Sequence, residues 1–395
     1  MRRARRGRER RPGGRFALTP PADASYPKGM RTLLALLLAA AAGAQPATLT
    51  GTVRDGDGAP LAGANVYLSG TTRGDAADAD GHYRIEGVPP GAYRVVASLV
   101  GYEAGTAEVT AGAGEAVETD FMLYGARWTV GFVRVEAPRD LRWQGQRAAF
   151  EAAFLGESTL ADSTRIANPE VLEFREGVGG LQATAAKPLV IENRALGYRL
   201  TYDLRGFALS ETEVRYDGDE RFEPLTPSSN AEAVRWAAAR VRAYRGSLRH
   251  LLRALLGGTA EAEGFEFFLD EDAETSFNTD AFGRSSEGRP RPVDAQDVFE
   301  RRPDATGELR FDGRLDVRYD EAEDAGYPGS RWFLESRSAP AEEQRSSIEL
   351  RARSVTVGAD GTLAAPLDVL TRGYLGFERL ADLLPADYAR PPRAR

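Results

Sequence analysis

Apolar and polar residues alternate in short runs over residues 47–124. Leu49, Gly51 and Val53 alternate with polar residues, and the longest run of this kind is Tyr93–Leu99. Clusters of Gly, Asp and Pro separate the runs every ~8–12 residues, which is typical of short antiparallel strands joined by tight turns. About seven strands at this spacing predict a β-sandwich.

Residues 125–395 mix strand and helix patterns. Tyr198–Arg205 alternates apolar and polar residues, which predicts a half-buried strand. Apolar residues become rare from about 270 to 306, where Gly, Pro, Ser and charged residues dominate, so we expect a flexible loop there. We predict an α+β domain with an antiparallel sheet in this region and a mainly β protein as a whole.

A helix pattern dominates the middle of the second region. Apolar residues recur every three to four positions over Val234–Leu255. Ser229 and Glu232 make a capping box before it, and glycine follows its last turn. The sequence therefore predicts one long helix, in which Gly246-Ser247 is a candidate break.

Residues 30–44 have the features of a secretory signal peptide. Arg31 follows Met30, an apolar core of leucine and alanine comes next, and the segment ends at Ala44 in a small-x-small cleavage pattern. The apolar run is shorter than the roughly 20 residues of a spanning helix, so we expect no transmembrane helix in the mature protein. Residues 1–29 are a basic extension. They suit either an arm for nucleic acid or a start codon assigned upstream of Met30, and the second interpretation is favoured.

Charge and cysteine content exclude several classes of protein. The formal net charge is −8, but residues 1–44 hold ten basic and two acidic residues, so the remainder carries −16. Proteins bind polyanions through basic patches, and we therefore expect no nucleic-acid partner. The absence of cysteine excludes disulfides, thiol nucleophiles and cysteine-ligated metals.

Four local patterns occur in order in the first region. They are G-x-V-x-D at Gly51–Asp55, P-L-x-G-A-x-V at Pro60–Val66, D-x-D-G-x-Y at Asp78–Tyr83 and P-x-G-x-Y at Pro89–Tyr93. Residues 47–124 thereby resemble the carboxypeptidase-regulatory-like family, a transthyretin-like β-sandwich of exported proteins. The resemblance implies an accessory module with seven strands, and it brings no catalytic residue to this chain.

The second region also resembles a family. F-L-G-x-S at Phe154–Ser158, N-P-E at Asn168–Glu170 and P-L-x-I-x-N-x-x-L-G-Y at Pro188–Tyr198 are similar to an uncharacterised domain that follows such sandwiches in Gram-negative envelope proteins. This resemblance implies an exported protein of the periplasm or the outer-membrane surface. It implies no activity.

Two acidic turns of the first region suggest calcium. Asp55 and Asp57 begin an EF-hand-like loop, but Val66 stands where that loop needs its twelfth-position glutamate. Asp and Gly are also the residues that tight turns need, so plain turns are favoured. The same holds for the second turn, which contains Asp75, Asp78 and Asp80.

The chain has two histidines, His82 and His250. They lie far apart and outside any H-E-x-x-H pattern, which argues against a zinc peptidase site. His82 stands beside a turn, and we expect it at the surface. His250 follows Ser247 by three positions and could make a serine–histidine pair. No G-x-S-x-G elbow is present, however, so a histidine packed against the sheet is favoured.

Acidic and basic clusters in the second region have both a functional and a structural interpretation. Adjacent carboxylates could serve a glycosidase, but on a loop they are more often solvated. This cluster is Asp270, Glu271, Asp272 and Glu274. Arginines on the polar face of the predicted helix suit an anion or acidic-lipid site or a solvated face, and the second is favoured. They are Arg235, Arg242, Arg245, Arg249 and Arg253.

Aromatic residues of the second region could form a carbohydrate or peptide platform. The alternation of Tyr198 and Tyr202 favours a core role instead. The other candidates are Tyr216, Trp236 and Trp332.

The sequence predicts no catalytic, cofactor-binding or metal-ligating residue and no cofactor. We expect a non-catalytic, exported binding or scaffold protein of the cell envelope, whose partner is an envelope protein or a glycan. Two alternatives stay open. One is an accessory of outer-membrane polysaccharide uptake, and the other is a hydrolase that uses carboxylates of the second region.

Overall fold

The computed structural model describes residues 45–125, 141–177, 179–210, 213–273, 290–330, 333 and 343–389. The predicted basic extension and signal peptide fall on residues 1–44, outside the described residues. The described chain from Pro46 onward belongs to one compact unit.

Residues 47–123 form the predicted β-sandwich. Its strands are β1 (Ala47–Asp55), β2 (Asn65–Leu68), β3 (Gly74–Ala76), β4 (His82–Val88), β5 (Gly91–Ser98), β6 (Gly105–Ala111), β7 (Ala116–Glu118) and β8 (Phe121–Leu123). One sheet has the order β4-β1-β7, and β8 also pairs with β1. The other sheet has the order β3-β2-β5-β6. Eight strands replace the expected seven. The three residues of β3 are all exposed, so they lack the apolar alternation that reveals a strand.

The described part of the second region has three antiparallel sheets where the sequence predicted one. The strands are β9 (Thr164–Ile166), β10 (Leu172–Gly177), β11 (Gly180–Ala185), β12 (Leu189–Asn193), β13 (Tyr198–Leu209), β14 (Val214–Pro224), β15 (Phe265–Asp270), β16 (Arg291–Val293), β17 (Phe299–Arg301), β18 (Gly307–Leu309), β19 (Arg314–Tyr319), β20 (Gln344–Leu350), β21 (Val355–Val357) and β22 (Val369–Gly373). The six-stranded sheet has the order β10-β11-β13-β12-β9, and β14 pairs with β13. The five-stranded sheet has the order β16-β15-β19-β20-β22, and the three-stranded sheet has the order β17-β18-β21.

The predicted long helix forms as two helices, which are divided at the candidate break, Gly246-Ser247. Gly246 has a φ of 78°, a conformation that ends a helix and that residues with a Cβ rarely adopt. The Ser247 side chain then accepts the His250 N–H and starts a new helix. The described α-helices are α1 (Leu141–Leu155), α2 (Asn230–Tyr244), α3 (Leu248–Gly257), α4 (Ala295–Val298) and α5 (Tyr374–Phe377). Short 3₁₀ turns lie at Ala161–Ser163, Pro169–Val171, Tyr327–Gly329, Pro366–Asp368 and Leu380–Asp382.

The predicted flexible loop over about 270–306 is wrong for residues 290–306. These residues form β16, α4 and β17. Asp294 and Asp297 make a reciprocal capping box on α4, and Val298 and Phe299 are buried behind it. Few apolar residues therefore suffice to order this segment. Residues 274–289 lie outside the described part.

The turn after β2 joins the sandwich to the second region. The Gly70 N–H donates to the Glu220 carbonyl at 2.8 Å, and the Phe222 N–H donates to the Thr71 carbonyl at 3.0 Å. Thr71 thereby pairs in parallel with Arg221 along the free edge of β14. The sandwich thus adds a short strand-like segment to the six-stranded sheet.

Charged groups reinforce this junction. The Asp219 carboxylate is buried, lies 2.9 Å from Nε of Arg94 and is also bound by Arg205. The Asp387 carboxylate accepts the N–H of Thr72 at 3.0 Å and its hydroxyl at 2.6 Å. The sandwich is therefore held both by β14 and by the C-terminal segment around Asp387.

The described part of the second region has two large hydrophobic cores and a small aromatic cluster of Tyr327, Tyr374 and Phe377. One lies between the six-stranded sheet and the helices α1 and α2. The other lies between α3 and the five- and three-stranded sheets. The seam between these cores is where a cavity forms. Within the described part of the chain, no helix has the length and apolar character needed to cross a membrane.

Candidate functional site

A cavity of about 430 Å³ lies in the seam between the two cores. Its walls are β14, helix α3 and the segment from residue 361 to residue 384. Pockets of this size suit small ligands and are the usual place for a binding site. Six of its lining side chains carry the chemistry: Glu220, Glu378, Asp382, Arg249, Arg379 and Tyr216.

Glu220 reaches the cavity from β14. The Gly70 N–H fixes its backbone carbonyl, so the junction with the sandwich also positions this residue. Burial raises the pKa of the Glu220 carboxyl to about 7, and the Arg249 guanidinium opposes this shift. The side chain is half-buried and lines the cavity.

Glu378 lies directly after α5 and has the most unusual environment. Burial raises the pKa of its carboxyl well above the usual range, and the nearby carboxylates of Asp382 and Asp324 raise it further. No guanidinium of the described residues opposes this shift. The carboxyl also has no hydrogen bond or ion pair within the described part of the chain.

Asp382 stands one 3₁₀ turn beyond Glu378. Burial raises the pKa of its carboxyl to about 7, whereas the Ser158 hydroxyl and the Arg379 N–H, at 3.1 Å, lower it. Ser158 is 2% exposed, and its Oγ has no aligned hydrogen bond within the described residues. It therefore acts on Asp382 as a nearby dipole rather than through a well-formed hydrogen bond.

Two of the four guanidinium groups that line the cavity, those of Arg249 and Arg379, have neutral hydrogen-bond partners. Arg249 donates to the carbonyl of Leu384, and burial lowers the pKa of Arg249. Arg379 is hydrogen-bonded to the Tyr216 hydroxyl. Burial nevertheless raises the pKa of Tyr216, so its phenol stays protonated at neutral pH.

The rest of the wall is largely apolar. Nine leucines line it: Leu248, Leu252, Leu363, Leu367, Leu370, Leu375, Leu380, Leu383 and Leu384. A ligand could therefore bury an apolar surface here and also donate hydrogen bonds to the carboxyl groups. Across the described ranges, no three His, Asp or Glu residues are arranged to hold a metal ion.

The serine–histidine pair is a structural feature. The His250 ring is 1% exposed and accepts the Gly246 N–H at its Nδ1. Its Nε2 therefore carries the proton, and this N–H donates a hydrogen bond to the Glu263 carboxylate at 2.8 Å. The Ser247 hydroxyl donates to the Tyr244 carbonyl and caps α3. The prediction of a packed, hydrogen-bonded histidine is confirmed.

The acidic turns of the sandwich use their carboxylates within the turns. Asp55 accepts the N–H groups of Asp57 and Ala59, at 3.0 and 2.8 Å. Asp78 accepts those of Asp80 and His82, both at 2.9 Å. The turn interpretation is confirmed for these two carboxylates, and His82 is exposed as expected.

The acidic cluster at the end of β15 is not simply solvated. Asp270 is 3% exposed and lies 3.7 Å from Arg314. Glu271 pairs with Arg291 at 2.5 Å. Asp270 ends a strand rather than lying in a loop, which is why the expectation of a solvated cluster is wrong for it. Glu274 lies outside the described residues.

A solvated arginine face is confirmed for only part of the predicted helix. Arg235 and Arg242 are exposed. Arg245 pairs with Glu321 at 2.9 Å, and Arg253 donates to three backbone carbonyls. Arg249 lines the cavity, because the break at Gly246 turns α3 toward it.

The aromatic candidates belong mainly to the core. Tyr198, Tyr202 and Trp236 are buried, as the alternation predicted. Tyr216 lines the cavity, and Trp332 lies outside the described residues. No aromatic platform arises from the four described members of this set.

Sequence reasoning missed the cavity carboxyl groups. Asp382 stands between apolar neighbours in Leu380–Leu384, and an acidic residue inside an apolar run is a signal for a buried functional group. Glu220 lies in the charged run Asp217–Glu223 and looks solvated. No local pattern distinguishes Glu378.

One part of the chain has a family assignment. Residues 48–124 match the carboxypeptidase regulatory-like domain family. The resemblance predicted for the sandwich is thereby confirmed, whereas that of the second region stays a prediction. A comparison with the curated proteins found no match.

Solved structures resemble only a fraction of the chain. A cohesin–X-dockerin complex from Acetivibrio cellulolyticus is 20% identical over 22% of this chain and 62% of that chain, with a TM-score of 0.19. Catechol 1,2-dioxygenase from Pseudomonas arvilla C-1 is 18% identical over 25% of this chain and 58% of its own, with a TM-score of 0.19. A minor pilin from Streptococcus agalactiae is 22% identical over 24% of this chain and 48% of its own, with a TM-score of 0.18. This chain spans less than two thirds of each, and similarities this low carry no argument about function.

Proposed function

We propose that this chain is a non-catalytic binding protein of the cell envelope. It binds a small ligand, or the end of a glycan or peptide chain, in the cavity between β14, α3 and residues 361–384. The Glu378 carboxyl carries this proposal, since it faces the cavity and has no hydrogen bond or ion pair among the described residues. A polar group deep in a protein normally has a partner, and a ligand would supply one.

The sandwich supports the cavity rather than forming it. Its turn at Gly70 holds the backbone of Glu220, and Glu220 lines the cavity. An accessory domain of the carboxypeptidase regulatory-like family suits this supporting role. Export to the envelope rests on the signal-peptide pattern of residues 30–44 and belongs to the same proposal.

Ligand-observed NMR on the purified chain tests the binding function. The probes are a set of monosaccharides, oligosaccharides, amino acids, amines and short peptides. Leu367→Trp is the blocking variant, because Leu367 lines the cavity and is 48% exposed, so a larger side chain narrows the cavity at small cost to folding. We expect at least one probe to bind the natural chain and to lose binding in this variant. Absence of any binder, or binders indifferent to Leu367→Trp, would overturn the proposal.

Hydrolysis by carboxyl groups is the second candidate function. The raised pKa of Glu378 favours it, because a general acid must keep its proton near neutral pH. Incubation of each bound glycan or peptide with the chain separates the two functions. Unchanged ligand after prolonged incubation supports binding alone, whereas cleavage that is lost in Glu378→Gln supports hydrolysis.

A further inference from the structure

We infer that the cavity takes a ligand with a protonated amine on an apolar stem, and that the Glu378 carboxylate is the partner of the ammonium group. This inference names the ligand class of the cavity and therefore rests on the proposed function. It depends on three features of the site: the carboxyl group without a partner, the sign of the charges around it and the apolar wall.

The Glu378 carboxyl lies among acceptors. Asp324 is already occupied as an acceptor, since its carboxylate binds the N–H and hydroxyl of Thr159 at 3.1 and 2.6 Å and the N–H of Gly326 at 2.8 Å. With the carboxyl groups of Asp324 and Asp382 as neighbours, the group that complements Glu378 is a hydrogen-bond donor with positive charge.

The arginines of the cavity do not satisfy this requirement. Arg249 donates to the Leu384 carbonyl, and Arg379 is bound to Tyr216. The other two arginines of the wall, Arg215 and Arg372, pair with Glu213 and Glu349. None of the four contributes to the environment that sets the pKa of Glu378. The carboxyl is therefore available to a cation that enters from outside.

The leucines of the cavity wall favour a ligand whose amine is attached to an apolar stem. Leu367, Leu370, Leu375 and Leu383 share the cavity with Glu378. An alkyl stem loses its contact with water against these side chains, while its amine end meets the carboxyl. A small amine without a stem would leave the leucines uncovered, and a polyol would place hydroxyl groups against them.

The protonation of Glu378 agrees with this ligand. Burial and the carboxylates of Asp382 and Asp324 hold its pKa high. An ammonium group beside Glu378 favours its ionised form, so binding near neutral pH releases a proton.

Three probes of one length test the inference by calorimetry on the full chain: hexylamine, 1-hexanol and hexanoate. They share the apolar stem and differ in the charge of the head group. We expect hexylamine to bind at least about tenfold more tightly than hexanol, and hexanoate to bind most weakly. Glu378→Gln keeps the size of the side chain and removes its charge. We expect it to weaken hexylamine about tenfold and to leave hexanol unchanged.

Glu213→Gln is the matched control in the same cavity. The Glu213 carboxylate is already bound by Arg351 at 2.6 Å and by Arg215 at 2.7 Å, so its neutralisation should leave hexylamine affinity unchanged. Thermal melting of each variant verifies that it is folded.

Two results contradict the amine assignment. One is equal or tighter binding of hexanol or hexanoate, and the other is hexylamine binding that Glu378→Gln leaves intact. If all three probes fail while another ligand binds and is blocked by Leu367→Trp, the amine inference is wrong and the binding function stands. If no ligand of any class binds, both are wrong.

Discussion

The Asp219 carboxylate lies 2.9 Å from the Arg94 guanidinium and links the six-stranded sheet to the sandwich. The Nε–H of Arg94 is not aligned with the carboxylate oxygen, so the contact is a charge pair rather than a directed hydrogen bond. Arg205 binds the same carboxylate, and the Ser69 hydroxyl donates to it at 3.1 Å. Because Asp219 is 3% exposed, these groups depend on one another within a region of low dielectric constant.

Asp219→Ala should weaken the junction strongly. The change removes the buried partner of Arg94 and Arg205, whose side chains are 37% and 38% exposed and which keep, among the described residues, only the more exposed carboxylates of Glu108 and Asp217. Because solvent screens these two cations, we expect a cost of about 1–3 kcal/mol, less than for a fully buried pair. We expect the free energy of unfolding in urea to fall by that amount and the single transition to separate into two, as the sandwich and second region lose their coupling.

Asp217→Ala is the control for this prediction. Asp217 also binds Arg205, but its side chain is 43% exposed and it does not contact the sandwich arginine. We expect it to cost less than about 1 kcal/mol and to keep one transition. Equal effects of the two variants would show that the junction contributes nothing specific.

Gly246 and Gly145 should respond to alanine with opposite sign. At Gly246 the φ is +78°, and a Cβ would lie 1.9 Å from Oε1 of Gln344. We expect Gly246→Ala to lower the free energy of unfolding by about 2 kcal/mol or more. Gly145 lies exposed within α1, with nothing within 4 Å of an added Cβ. There alanine should raise the free energy of unfolding by about 0.5–1 kcal/mol. Chemical denaturation measures both, and a loss at Gly145 would contradict the helix assignment.

The sandwich was predictable because its strands are half-buried. Buried residues alternate with half-buried residues in β1 and with exposed residues over most of β4. The sequence shows the same two-residue alternation of apolar and polar side chains. β3 was missed because its three residues are exposed, and such a strand leaves no apolar pattern. The second region was harder, since nothing local distinguishes one sheet from three.

The cavity was not predictable from local patterns. Glu220 comes from a strand, Arg249 from a helix and Glu378 from a segment near residue 380, so chain folding alone brings them together. Metal-binding histidine motifs and acidic clusters can be recognised in a sequence only when their members lie close together along the chain. Glu378 is unusual only because of its burial and its acidic neighbours, which are tertiary properties.

His250→Phe tests the structural role of the buried histidine. Phenylalanine keeps the ring contacts with Phe265 and Tyr319, whose centroids lie 4.9 and 5.4 Å away. It leaves the Gly246 N–H and the Glu263 carboxylate without this partner, which should cost about 2–4 kcal/mol. The exposed His82 gives the comparison, because His82→Phe should change stability by less than about 0.5 kcal/mol. Differential scanning calorimetry measures both, and an equal melting temperature for His250→Phe would contradict the assigned hydrogen bonds.

Three carboxyl groups of the cavity, those whose pKa is raised, should make the ligand-free protein less stable at high pH. In an unfolded chain Asp and Glu titrate near pH 4. In the folded protein burial raises the pKa of Glu220 and of Asp382 to about 7, and that of Glu378 well above its usual range. Between these values the folded state binds more protons than the unfolded state, so the free energy of unfolding decreases as pH rises through this window.

Urea denaturation at several values between about pH 5 and pH 8 measures this slope, to which one titrating group contributes at most about 1.4 kcal/mol per pH unit. Glu378→Gln removes one titrating group, so its slope should be shallower and its stability relative to the natural chain should increase with pH. Glu86→Gln, on the exposed face of β4, should keep the natural slope. A natural chain that becomes more stable from about pH 5 to pH 8, or a Glu378→Gln slope equal to that of the natural chain, would show that these carboxyl groups are ionised in the folded cavity.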